Sequence, residues 1–157
     1  EKNVLQPVGM SRSTYDQPLP ENKQDNVAIG HRPAGEKVAG NWHTYPEMAA
    51  AGLWTTPSDL ATWSLAMQRA YNGSEDEFIS SQTAQSILEK NDFDWGLGPG
   101  VMGAGDSLRF SHGGANEGYR CYLMGFAKEG GQGVAIMTNN DLGWPMIFEL
   151  LRSFSTH

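Results

Sequence analysis

The sequence predicts an α/β chain of the α+β kind, an antiparallel sheet with a packed C-terminal helix plus a helical portion ahead of it. Three observations predict this: a capped apolar stripe from Thr56 to Tyr71, two strand-like runs at Gly118–Phe126 and Gly133–Thr138 joined by a glycine reversal, and a final apolar segment from about Trp144. A hairpin followed by an amphipathic helix makes two packed layers, the helix covering one sheet face. At 157 residues the chain is long enough for one independent core and too short for two.

The elements follow in order. Residues 1–56 read as an extended, loop-rich segment. It opens with the tail of an element ending in Gln6-Pro7-Val8-Gly9-Met10. From Ser11 to Pro46 it is rich in Pro, Gly, Asn and charge and lacks helical periodicity. Short strands are expected at Asn26–His31 and Glu36–Val38, closed by Pro33-Ala34-Gly35. So long an irregular stretch suggests a functional surface loop or a lost packing partner.

Residues 57–90 form the helical portion. Thr56-Pro57-Ser58-Asp59 supplies a hydroxyl cap, a proline at the first helical position and an acid at the third, able to reach back to the cap amide. Leu60, Trp63, Met67 and Ala70 or Tyr71 then make one stripe, with Trp63 assigned to the core, and Asn72-Gly73 stops the helix. A second helix is expected from Ser80 or Ser81 to Lys90. Residues 96–157 carry the sheet and the last helix. Gly96–Met102 reads as a glycine-loosened strand, Gly103–Asp106 as a turn, and Leu108–Phe110 as a strand entering Ser111-His112-Gly113-Gly114. The apolar run Gly133–Thr138 predicts a central strand, and Asn139-Asn140-Asp141 precedes a helix to about Phe154.

Eleven basic against eighteen acidic residues give a formal charge of -7, with no basic patch of the kind that nucleic acid or an anionic membrane surface demands. The sole cysteine, Cys121, cannot close an internal disulfide and is read as strand packing. No stretch reaches the roughly 18 apolar residues of a membrane span. The chain opens Glu-Lys-Asn without a methionine, so it is expected to have been trimmed or cut from something longer.

His112 stands out chemically. It follows a short strand and precedes two glycines, which leaves the backbone beyond it uncovered and its N–H groups free for a ligand. The plain alternative is a surface histidine before a strand-end turn. The four histidines, His31, His43, His112 and His157, share no metal-ligand spacing with one another or with Cys121, so no metal or other cofactor is expected. The glycine clusters lack phosphate-loop and dinucleotide spacing. Asp92 and Asp94 beside Trp95 fit a solvated turn better than an acid pair. No Ser-x-x-Lys, Gly-x-Ser-x-Gly, Tyr-x-Asn or Ser-x-Asn occurs, so the chain does not itself hold a complete serine-acylation apparatus.

Three segments in this order resemble the C-terminal region of the β-lactamase-related serine hydrolases, which include class C β-lactamases, penicillin-binding proteins, D-aminopeptidases and esterases. They are Val4–Met10, similar to the family's Pro-Leu-Gly-Met stretch; Ala50–Leu60, similar to its Gly-Gly-Leu-x-Ser-Thr-x-x-Asp-Leu entry into a helix; and Phe110–Arg120, similar to its third active-site motif in His-x-Gly form. The resemblance implies a β-lactamase/transpeptidase-like fold of which residues 1–157 are an incomplete domain. It implies cleavage of an ester, amide or β-lactam bond through an acyl-enzyme, with the nucleophile missing from this chain. His112 falls on the motif's basic position and the Ala115 amide on one of two oxyanion donors. Gly113, Gly114, Asn116 and Arg120 would line the substrate, Arg120 by meeting a carboxylate or else by facing solvent. Trp54 would line a pocket or pack.

The expected partners are the missing N-terminal half of the same fold, a small ester, peptide or β-lactam substrate, and a second copy through an uncovered sheet edge. Nucleic acid is not expected. The family suggests a periplasmic or secreted setting. The fragment alone is predicted inactive. The rival expectation is a non-catalytic binding or structural protein of the same shape.

Overall fold

A computed structural model describes residues 1–74, 78–91 and 93–155. The chain runs α1 (Leu5–Val8), α2 (Glu21–Gln24), α3 (Met48–Ala51), α4 (Pro57–Tyr71), α5 (Ser81–Ile87), β1 (Gly100–Met102), β2 (Arg109–Asn116), β3 (Tyr119–Phe126), β4 (Gly133–Thr138) and α6 (Trp144–Ser155), with a 3-10 turn at Gly105–Ser107. The strands form one antiparallel sheet in the order β1-β2-β3-β4. The α+β class is as predicted. The strand predicted to be central, β4, is last in that order, and its apolar run is only half-buried except at Ile136. The residues group into two compact units, one of Glu1–Ser13, Thr55–His112 and Leu123–Ala135, the other of Thr14–Trp54, Gly113–Tyr122 and Ile136–His157.

The first unit is built on α4. Thr56 Oγ1 accepts the Asp59 amide at 3.1 Å, with Pro57 at the first helical position, as the sequence dictates. The Asp59 carboxylate serves a longer-range purpose than the local cap: its Oδ2 accepts the Arg12 amide at 2.9 Å and the Ser13 hydroxyl at 2.7 Å. Met67, Ala70, Ala84, Leu88, Val101, Phe110 and Ala127 form the core, with the Trp63 ring edge-on to Phe110 at 6.1 Å. Burying each of the larger of these side chains is worth about 1.5–3 kcal/mol.

Polar groups fasten the end of α4 to the β3–β4 connection. Gln68 Nε2 donates to Phe126 O and Gly131 O at 3.0 and 2.8 Å, and Asn72 Nδ2 donates to Ala127 O at 2.7 Å. The helix predicted to reach Lys90 stops at Ile87, because the Ile87 carbonyl accepts the Leu97 amide at 2.9 Å where a continuing helix would offer it to Asn91. The predicted Gly96–Met102 strand shrinks to Gly100–Met102. Ahead of it Gly96 N–H bonds Pro99 O at 2.8 Å in a turn that Gly98 enters at φ 115°.

The second unit contains the irregular segment. Thr14 and Trp54 close it by exchanging backbone hydrogen bonds, both at 2.9 Å. The two strands expected within it reduce to isolated bridges, His31 with Lys37 and His31 with Asn140, and single-turn helices at α2 and α3 occupy what was read as loop. Gly30 packs flat against Tyr119, where an added Cβ would come within 2.8 Å of the ring, and the Tyr119 hydroxyl donates to Ala28 O at 2.7 Å. In α6 Ile147 is fully buried while Met146 and Phe148 are exposed. Among the described residues no helix is long and apolar enough to cross a membrane.

Candidate active-site strand

β2 carries every residue of the His-x-Gly motif. The strand does not end at Phe110 but continues to Asn116, so the glycines are strand residues and not a strand-end turn. Burial along it falls away after Ser111, with His112, Gly113 and Ala115 exposed. The His112 imidazole stands edge-on to Trp95 at 6.0 Å.

The glycines have a packing reason that spacing alone does not reveal. A Cβ on Gly113 would meet the Trp144 ring at 3.0 Å, and one on Gly114 would run into the Cys121 sulfur. Neither glycine has a positive φ, so it is close approach and not conformation that disfavours a side chain, more tightly at Gly114 than at Gly113.

Backbone direction gives the strand its chemical character. β1 pairs with β2 only at Arg109, Phe110 and Ser111. Amides of an antiparallel strand alternate in direction, so those of Gly113 and Ala115 point to the same edge of β2, whose pairing with β1 ends at Ser111. Two N–H donors two residues apart thus lie along one strand edge, and a strand edge of this kind recognises a carbonyl or an extended backbone.

The remaining predicted residues are tied into the turn after β2. Asn116 Nδ2 donates to Ala51 O at 2.9 Å. Arg120 Nη1 donates to Asn116 O at 2.8 Å and Tyr119 O at 2.6 Å and pairs with Asp141 Oδ1 at 2.8 Å, the two side chains only 19% and 17% exposed. Trp54 packs edge-on to Trp42 at 5.5 Å, with its indole nitrogen buried and unpartnered among the described residues. Asp94 pairs with exposed Lys90, as a turn residue would; Asp92 and His157 lie outside the described residues. Burial pushes the Cys121 thiol up, partly offset by the Gly114 backbone. Among the described residues no three His, Cys, Asp or Glu side chains gather as a metal site would require.

Sequence reasoning missed the supports of this strand: Trp95, Trp144 and Asp141. The polar triplet Asn139-Asn140-Asp141 before a helix was visible, but its pairing with Arg120 depends on tertiary placement.

A chain with this sheet, helix and motif strand has the architecture of the serine β-lactamases and penicillin-binding proteins, and the comparisons agree. The chain matches the β-lactamase family over residues 1–149, and it belongs to that family. Its fold is similar to the crystal structure of a protein called SurE (24% identity, TM-score 0.69, covering 94% of this chain and 36% of that one). It is also similar to an octameric penicillin-binding protein homologue from Pyrococcus abyssi (22% identity, TM-score 0.64, 88% and 32% covered). A class C β-lactamase mutant aligns at 16% identity with TM-score 0.63, covering 90% of this chain and 46% of that one. The chain therefore spans less than half the length of these solved relatives. No curated protein sequence matches it.

Proposed function

We propose that this chain is the C-terminal part of a serine hydrolase that cleaves an ester, amide or β-lactam bond through an acyl-enzyme, with the nucleophile on a segment outside these residues. The observation that supports it is the continuation of β2 past Ser111, its last partner on β1, into the exposed residues His112, Gly113 and Ala115. An activated serine hydroxyl would attack the substrate carbonyl and water would later release the acyl group. Negative charge would develop on the carbonyl oxygen at both steps. A fixed N–H at Ala115, with the serine's own amide as second donor, would stabilise that charge by several kcal/mol.

His112 in place of a lysine favours an ester or peptide-like substrate over a β-lactam. A neutral imidazole donates or accepts at pH 7, whereas lysine holds a fixed charge for a substrate carboxylate. Gly113, Gly114 and Asn116 would align the acyl group along the same edge.

The test uses the longest protein that contains this chain. Ala115→Pro removes the donor N–H on the part of β2 that lies past its pairing with β1. Turnover of p-nitrophenyl acetate is expected to fall about 100-fold or more in kcat with KM nearly unchanged. Undiminished kcat refutes the assignment. The 157-residue chain alone is expected to hydrolyse neither p-nitrophenyl acetate nor nitrocefin. Turnover by it that a serine-acylating agent abolishes would overturn the placement of the nucleophile elsewhere.

A further inference from the structure

We propose that Arg120 and Asp141 form a register lock for the Ala115 amide, which makes Arg120 a positioning residue and not a substrate ligand. The inference rests on the proposed function only in taking Ala115 as the oxyanion donor. Its physical basis is the turn Glu117-Gly118, whose backbone polar groups are held by side chains and neighbouring backbone. Arg120 Nη1 holds the Asn116 carbonyl at 2.8 Å. The Tyr45 hydroxyl receives the Glu117 amide at 2.8 Å, and Asp141 Oδ1 receives the Gly118 amide at 2.9 Å. Gly118 O accepts the His31 amide at 3.4 Å, and the Asp141 amide in turn bonds His31 O at 2.9 Å. Gly118 sits at φ 81° with its Cα face pressed on Gly30, where a Cβ would fall 2.7 Å from Gly30 Cα, so the turn has no room to be rebuilt one residue along.

Register matters here because strand amides alternate in direction. A slip of one residue reverses the direction of every amide along β2, so the Ala115 N–H would leave the edge at which it serves and a neighbouring amide would take its place. The ion pair suits the task. One guanidinium nitrogen bridges two carbonyls of β2 and β3 and a carboxylate that also holds the turn amide. Both side chains are about four-fifths buried, so removing one partner leaves the other charge largely desolvated.

The experiment measures backbone order by NMR and kinetics, both in the longest protein that contains this chain. In Arg120→Met the Ala115 and Gly118 amide order parameters are expected to fall from about 0.85 to below about 0.6 while those of Val134–Met137 in β4 stay near 0.85. Asp141→Asn keeps an acceptor for Gly118 but removes the charge facing Arg120. It is expected to show the same loss to a smaller degree, and it carries the test if Arg120→Met does not fold. In the longer protein both variants are expected to lower kcat about 10- to 100-fold with KM within about twofold, the split of a lost transition-state contact. A folded variant with unchanged order at Ala115 overturns the proposal, as does a loss spread equally over β4. If the longer wild-type protein hydrolyses no ester, the proposed function fails while the order parameters still decide the register lock.

Discussion

Gly114→Ala is the substitution that separates the two uses a glycine can have in this motif. Its φ is not in the left-handed region, so alanine fits the backbone. In open space the change would stabilise by about 0.4–1 kcal/mol through the unfolded chain. The space is not open: the added Cβ meets one atom within 4 Å, the Cys121 sulfur, closer than such atoms approach. Relieving that overlap, by turning the half-buried Cys121 thiol out of its rotamer or by shifting the strand pair, costs about 1–3 kcal/mol. Gly114→Ala alone is therefore expected to destabilise by about 1–2 kcal/mol net, roughly 2–8 °C in Tm for a chain of this length. Cys121→Ala removes the obstacle, so in that background Gly114→Ala is expected to be neutral or stabilising by up to about 1 kcal/mol. The coupling energy is then about 2 kcal/mol, within the range seen for residues in contact. Urea denaturation of the four proteins measures it. Equal cost of Gly114→Ala in both backgrounds refutes the packing explanation and returns the glycine to a purely ligand-clearing purpose.

Other outcomes follow from the same geometry. Thr56→Ala is expected to cost about 1 kcal/mol by uncapping α4. Asp59→Ala is expected to cost more, about 2–4 kcal/mol by urea denaturation, because the Arg12 amide and the Ser13 hydroxyl lose their acceptor as well. Burial raises the Tyr119 phenol and the Cys121 thiol above their ordinary values. Each therefore contributes stability that is complete below its unfolded pKa, about 10 and about 8.5, and is lost as pH climbs through the raised folded value. Thermal unfolding from pH 7 to 11 is expected to show a Tm that declines above about pH 9, and less steeply in Tyr119→Phe or Cys121→Ala. The rate of Cys121 reaction with an aromatic disulfide is expected to keep rising past the pH at which a free cysteine levels off.

The sequence showed most plainly what local chemistry decides. The start of α4 is written in Thr56-Pro57, and α6 and the β3–β4 pair follow from apolar runs bounded by glycine and asparagine. What it concealed depends on distant partners. The end of α5 is set by Leu97, ten residues past the Ile87 carbonyl it occupies. The Asn26–His31 and Glu36–Val38 runs have strand-like composition, yet the Gly30 and His31 amides donate to the carbonyls of Asn41, Gly118 and Asn139, one residue at a time, which leaves only bridges. In the candidate site, His112 and the two glycines were legible, and so was the prospect of a bare backbone. The reason for the glycines was not, because Trp144 and Cys121 reach them only in the folded chain. Arg120 was read as a residue for substrate or solvent; its partner Asp141 is 21 residues away in sequence and invisible to periodicity.

The most direct measurement is a crystal structure of the longer protein whose active serine has been trapped with a phosphonate ester. One phosphonyl oxygen is expected about 3 Å from the Ala115 nitrogen, with the acyl mimic running along Gly113 and Gly114 beside His112. An adduct whose oxygens are held by other amides, with the Ala115 N–H turned away from them, would contradict that expectation.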